Sequence, residues 1–519
     1  MHRGKWCIER ANFQIAYDHN RAFSSVSDSP DDLFNYSSGR WLVHDDLRLA
    51  ERRREFDVDE LCRLAAQSVG RSSQAIDTFM VARIPYPVTV YKFYAIASEV
   101  ATMRFLRSSG LPVLEVYDYS PSSDNVAKTE YIFMEFMRST KLSDVWLELE
   151  EPDIVSALRH LALLESRMIS IPFPAGGSLY YTNELEKVAG RTCVLLNDER
   201  FCVGPDAGLR MWFGRRLQLD VDRGPYEIAE AALVATARKE LMHLEQFGRP
   251  LLPFRRERRE AYGYKEQSPS DHIKNFERYL LIASRSNVIV STSSDSNQLK
   301  IVGLLDWQHA SILPALLLAG IPGRSQNYDD PVSQVLIPPS PPANMDELDQ
   351  SEQSHALGLC HRRLVHFHYF KNTEEYNKLH HDALSDPASM FICGLFDQAG
   401  APWEGETRAL KTTLLEAMEI WGRLTGEGVP CPVAFEPDDL PKTKELSAKL
   451  QVADENFEGC RGMAGFETET WVSNEHYAMA MALAELLKLR VLTEIPEEEV
   501  RAKTEANWFL NDMDEKDHM

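Results

Sequence analysis

The chain has no paired cysteine motif. Its eight cysteines (Cys7, Cys62, Cys193, Cys202, Cys360, Cys393, Cys431, Cys460) include no C-x-x-C spacing, which excludes a zinc ribbon or a disulfide framework and reads as free thiols in a reducing compartment. Basic residues are scarce: 56 Lys and Arg stand against 79 Asp and Glu, a formal net charge of −23. A nucleic-acid partner needs a basic face for its phosphates, so that class is excluded, while a cationic substrate is permitted. No apolar run reaches the roughly 18 residues of a membrane span; LPALLLAGI is about half that length. A glycine-rich G-x-G-x-x-G turn is also missing. What is there is a core: 519 residues with 44% hydrophobic and 10% aromatic content suffice for one large or two ordinary domains.

One stretch carries chemistry. Lys300 to Leu313 reads KIVGLLDWQHASIL, an apolar run from Ile301 to Leu305 that ends on Asp306 and Trp307. Such a run reads as a short buried strand, and Ser286 to Val290 (SNVIV) reads as another, led by Asn287. The STSSDSNQ between them is turn chemistry, so the two form a hairpin that holds Asn287 near Asp306. An amide and a carboxylate are hard oxygen donors suited to magnesium. A turn asparagine beside an N-cap aspartate is the plainer reading of the same spacing.

The pattern N-V-I-V, a turn, then G-L-L-D-W resembles the metal-binding end of the aminoglycoside phosphotransferase family, which shares the protein-kinase fold. The wording FNYSSGRWL, VARIPYPVTV, EYIFMEFM, IPFPAGGSLYY, LLDWQHASILP and QNYDDPVS resembles a fungal branch of it, from about Asp32 to the last hundred residues. The resemblance implies an α+β, protein-kinase-like two-lobed phosphotransferase fold, ATP and Mg2+ as cofactors, and a small-molecule hydroxyl as substrate. It implies Asn287 and Asp306 on the metal, Arg83 on the phosphates with Glu99 as its partner, and the main chain of Met134, Glu135 and Phe136 against the adenine. Outside that frame Arg83 is an edge-strand arginine and Glu99 a solvated helix glutamate.

Two losses stand out against the resemblance. Between Gly70 and the strand at Met80 only RSSQAIDTFM remains, too short for two strands and a phosphate-covering turn at about 5–6 residues per strand. Before Asn287 the family pattern H-x-D-x-x-x-x-N needs an aspartate five residues back, where Ile282 stands, and a histidine seven back, where Leu280 stands. The catalytic aspartate is therefore absent, and the chain as written is expected to be inactive. Two clean deletions with intact flanks favour a gene-model or splicing event; decay into a non-catalytic, nucleotide-binding or scaffold pseudokinase is the alternative.

Along the chain, residues 1–55 read as an N-terminal arm. Its first 26 residues, Arg- and Ser-rich and ending near RAFSS, look like a mitochondrial presequence, although Glu9 and Asp18 fit a cytoplasmic disordered arm equally. Residues 56–137 read as an incomplete small lobe, 138–335 as a large helical lobe with the metal site, 336–353 as a Pro-rich linker and 354–519 as a helical C-terminal extension. Helices are expected at 58–69, 91–109, 151–169, 229–246 and 270–281, and in the extension at 354–383, 404–425, 441–462 and 473–492. Phe173 to Tyr181, with its Gly pair, reads as a surface turn, His361, His366 and His368 as packed helix residues, and the acidic tail after Glu494 as frayed.

Overall fold

The computed structural model describes residues 15–17, 33–70, 80–137, 142–146, 149–189, 193–283, 307–513 and 515, apart from residues 90, 92, 314–316, 318, 319, 324, 329, 343, 427 and 465–469. The strands among them are β1 (Ile15–Tyr17), β2 (Gly39–Trp41), β3 (Met80–Arg83), β4 (Val116–Ser120), β5 (Tyr131–Glu135), β6 (Ser178–Tyr181), β7 (Val194–Leu195), β8 (Phe201–Gly204) and β9 (Trp471–Ser473). The longer helices are α1 (Asp45–Arg52), α2 (Val58–Gly70), α3 (Tyr94–Ser108), α4 (Glu151–Ile169), α5 (Ala229–Phe247), α6 (Pro269–Ala283), α7 (Gln350–Tyr376), α8 (Pro387–Gly400), α9 (Arg408–Glu419), α10 (Asp439–Ala464), α11 (Tyr477–Glu494) and α12 (Glu498–Ala506). The protein is a mixed α+β chain, mainly helical, with small antiparallel sheets.

The largest sheet among the described residues has four strands in the order β1-β3-β5-β4. Its apolar face packs on α3, where Ile96, Val100 and Met103 meet Ile132, Met134 and Val116. The first strand comes from the segment expected to be a leader: Ile15 to Tyr17 pairs antiparallel with Ala82 to Met80. Arg83 therefore ends a strand with neighbours on both sides, not an edge strand. A single β3–β5 ribbon leaves one set of amides and carbonyls unpaired, and a short segment from far away in sequence can satisfy it.

The arm does not simply lie across the first sheet. β2 pairs with β9 near the other end of the chain, and Gly39 is needed because a Cβ there would meet Val472 O at 2.4 Å. Trp41 stacks under the Arg52 guanidinium at 4.4 Å, Arg54 pairs with Glu130, and Arg48 pairs with Glu515. The tail expected to fray instead forms α12 and buries Trp508. The arm and the tail stabilise one another, which neither segment reveals alone.

The expected boundary between a lobe at 138–335 and an appended extension at 354–519 does not divide the packing. One core contains Leu233 and Ala237 of α5, Phe276 and Tyr279 of α6, Leu395 and Ala399 of α8, and Leu410 and Leu414 of α9. A second joins Ile154 and Leu158 of α4 to Val365 and Tyr369 of α7. The linker returns the chain to the same body, and α7 starts on a capping box between Asp349 and Glu352. His366 and His368 are packed as expected, His366 accepting the Asn327 N–H at 3.0 Å and His368 meeting Glu151 at 2.9 Å. The Gly pair is not a surface turn: it leads into β6, which pairs with β8, and Tyr180 is fully buried. Gly177, at φ 138, lies where a Cβ would meet Gly204 O at 2.3 Å.

Two buried histidines make this core acid-sensitive. Burial holds His243 down at about 4, with the Arg216 charge adding to it, and burial holds His272 at about 4. Both pKa values lie below the unfolded value of about 6.5, so the unfolded chain binds more protons between pH 6.5 and 4. Stability is present above pH 6.5 and is lost as pH falls toward 4, by roughly 3 kcal/mol per histidine. Thermal unfolding followed across pH 7 to 4 should show this decline, and the His272→Phe variant should show a shallower one. A flat profile over that window would contradict the assignment.

Candidate functional site

Strand β3 ends at Arg83 because Pro85 follows and cannot donate to a ladder. The Arg83 side chain crosses to α3 and pairs with Glu99, a residue with no exposed surface. Position 99 faces inward because α3 is buried along most of its length, with residues 95–103 all enclosed. A charge enclosed in that way requires a counter-charge, and Arg83, only 8% exposed, supplies it. The resemblance implied Glu99 as the partner of Arg83, and the packing places the two together; spacing alone left an edge-strand arginine and a solvated helix glutamate.

A third residue joins them. Arg83 Nη2 donates to Gln308 Oε1 at 3.0 Å, and Gln308 Nε2 donates to Thr89 Oγ1 at 3.3 Å and Thr89 O at 3.4 Å. Gln308 is 4% exposed and lies two residues after Asp306. Trp307, beside it, packs on the core that α3 shares with the first sheet. Asn287 and Asp306, expected to bind the metal, lie outside the described residues.

The chain after Gln308 is held by an unexpected polar cluster. His309 adopts φ 64, and its Nδ1 lies 3.0 Å from Ala207 O and 3.2 Å from the Tyr91 hydroxyl. Tyr91 also donates to Ala207 O and stacks on Trp212 with ring centroids 4.8 Å apart. Burial and the nearby Asp206 charge push the Tyr91 hydroxyl well above its ordinary pKa, so it remains a donor. Ser311 donates to Asp206, which also accepts the Gly208 N–H at 2.7 Å. Ser178 donates to Ala310 O at 2.6 Å and accepts the Ala207 N–H at 2.8 Å. The loop after β8, through Asp206 and Ala207, thus braces the segment 309–311.

Of the residues expected to face a base, Met134 lies within the ladder opposite Val81 and Val116, and Glu135 opposite Met80. The Glu135 N–H donates to Glu115 O at 2.8 Å, and its carboxylate accepts the Glu115 N–H at 3.1 Å. Phe136 follows just past the strand end. Among the described residues no group of three or more His, Cys, Asp or Glu is placed to hold a metal ion, and no helix is long and apolar enough to cross a membrane.

The fold and site define an α+β protein whose strand β3 and helix α3 are joined by an enclosed Arg–Glu pair, latched to the segment that follows Asp306. The chain is similar to a subtelomeric hrmA-associated cluster protein of Aspergillus fumigatus, 27% identical over 417 residues that cover 69% of this chain and 78% of that protein. It is also similar to altered inheritance of mitochondria protein 9, mitochondrial, of Yarrowia lipolytica, 25% identical over 42% of this chain and 46% of the relative. The protein of that name from Lodderomyces elongisporus is 29% identical over 31% of this chain and 29% of its own length. No protein-family model and no solved structure matches.

Proposed function

We propose that the chain is a kinase-like phosphotransferase-fold protein that binds a magnesium nucleotide and does not transfer its phosphoryl group. The observation that carries the reading is the Arg83–Glu99 pair between β3 and α3, the arrangement that orders a nucleotide's phosphates in kinase-like folds. Arg83 would hold phosphate, Asn287 and Asp306 would hold Mg2+, and bound ATP would supply a γ-phosphoryl group. The chain's own residues lack the aspartate that would orient an attacking hydroxyl. General-base help alone is worth about 10²- to 10⁴-fold. The mitochondrion is the proposed location, supported by the relatives that carry mitochondrial names.

Isothermal titration with Mg-ATP should show saturable binding, weakened at least about tenfold in Asp306→Ala, with turnover far below the roughly 1 s⁻¹ of slow kinases. Turnover near that rate would overturn the inactive reading, and an absence of heat up to millimolar Mg-ATP would overturn nucleotide binding. One observation favours a second reading, a scaffold without nucleotide: the Arg83 guanidinium is engaged by both Glu99 and Gln308 in an almost closed environment. The same titration separates the two.

A further inference from the structure

Helix α11 is apolar nearly all round, a pattern that normally marks a helix enclosed on every side. Here only one face is enclosed. Ala480 and Ala484 are buried, and the former packs with Leu42, just past β2, and Val472 of β9. The opposite face is exposed and carries Met479 at 59%, Leu486 at 62% and Leu489 at 65%. Large apolar residues exposed singly are ordinary, but a continuous stripe of them on one helix face marks an interaction surface.

The spacing of the stripe identifies its partner. Met479, Ala482, Leu486 and Leu489 follow one another by three, four and three residues, the a and d positions of two heptads. On that register Glu485 falls at g and Arg490 at the following e, five residues apart. In a parallel pair of identical helices each g residue faces the e′ residue five positions on, so Glu485 of each copy meets Arg490 of the other. Opposite charges at those two positions match a second copy of α11 aligned in register. In the single chain Glu485 is exposed, and Arg490 bonds to Glu494 at 3.3 Å within its own helix.

We infer that the exposed face of α11 is a self-association surface, on which two copies of this chain pair through parallel, in-register α11 helices. The pairing covers the apolar stripe and exchanges the local Arg490–Glu494 contact for two intermolecular Glu485–Arg490 pairs. The inference is independent of nucleotide binding, because α11 packs on α10, α12 and the β2–β9 ribbon, none of which carries Arg83 or Glu99.

Sedimentation velocity of the full-length chain over a concentration series tests it. The wild type should sediment as a concentration-dependent dimer. Leu486→Glu, on an exposed position, should raise the dissociation constant by roughly thirtyfold or more with an unchanged melting temperature. Glu485→Arg alone should also weaken the dimer, by placing like charges opposite one another, and Glu485→Arg with Arg490→Glu should restore it. A wild type that remains monomeric at about 100 μM, weaker than ordinary micromolar association, would overturn the inference, as would a dimer indifferent to Leu486→Glu. Failure of the charge reversal to rescue would overturn the parallel register, which is part of the claim.

Discussion

Glu240→Gln is expected to cost about 3–5 kcal/mol of stability, the range seen when one partner of an enclosed ion pair is removed. Glu240 has no exposed surface and accepts from Arg216 Nε and Nη2 at 2.7 and 2.6 Å and from Lys239 Nζ at 2.8 Å. Lys239 also donates to Arg210 O at 2.8 Å. Removing the single negative charge leaves two enclosed cations facing one another. Burial acts to raise the Glu240 pKa, yet the Arg216 and Lys239 charges overcome it and hold the group at about 2. The folded value lies below the unfolded one, so this stabilisation is complete above about pH 4.5 and is lost as pH falls toward 2. Chemical denaturation of Glu240→Gln beside a variant with all three side chains made apolar provides the check. The apolar triple variant should recover much of the loss, because pairing enclosed charges only offsets their desolvation. Equal stability of wild type and Glu240→Gln would show that the cluster is hydrated and unimportant.

Glu99→Leu should have the next largest effect, and it separates stability from function. It removes the enclosed Glu99 carboxylate that faces the Arg83 guanidinium at the β3–α3 junction, at a cost of about 3–5 kcal/mol. Gln308 recovers part of this, since its carbonyl still accepts from Nη2 at 3.0 Å. Arg83→Met combined with Glu99→Leu removes both charges and should be more stable than Glu99→Leu alone, a coupling that a double-mutant cycle measures directly. Mg-ATP binding should not return in that double variant, because the residue proposed to meet phosphate is gone. If the double variant binds nucleotide as the wild type does, Arg83 has no part in the site.

Local structure was legible where the apolar period was clean. The helix expected at 151–169 is α4 to the residue, and those expected at 58–69 and 229–246 are each longer by one residue. Strand β3 was legible from the family wording VARIPYPVTV, with Pro85 and Pro87 marking its end. The pair Arg83 and Glu99 could be named as candidates, but not as neighbours on residue spacing alone. Gln308, Thr89 and Asp206 were missed because a buried amide, hydroxyl or carboxylate has the same letter as an exposed one. Only the environment distinguishes them.

Beyond the α+β class, which the family resemblance implied, the sequence by itself determined the positions of the main helices, the acidic balance and the absence of both a glycine-rich turn and an H-x-D before Asn287. These are properties of composition, period and order, which a chain carries before it folds. Tertiary structure decided which segments meet. Ile15 to Tyr17 completes the sheet of β3, Gly39 to Trp41 finds a partner more than four hundred residues away at Trp471, and α8 and α9 share a core with α5 and α6. The physical reason is the same in each case. An unpaired strand edge or a half-covered apolar face states a requirement locally, while the segment that meets it can come from anywhere along the chain.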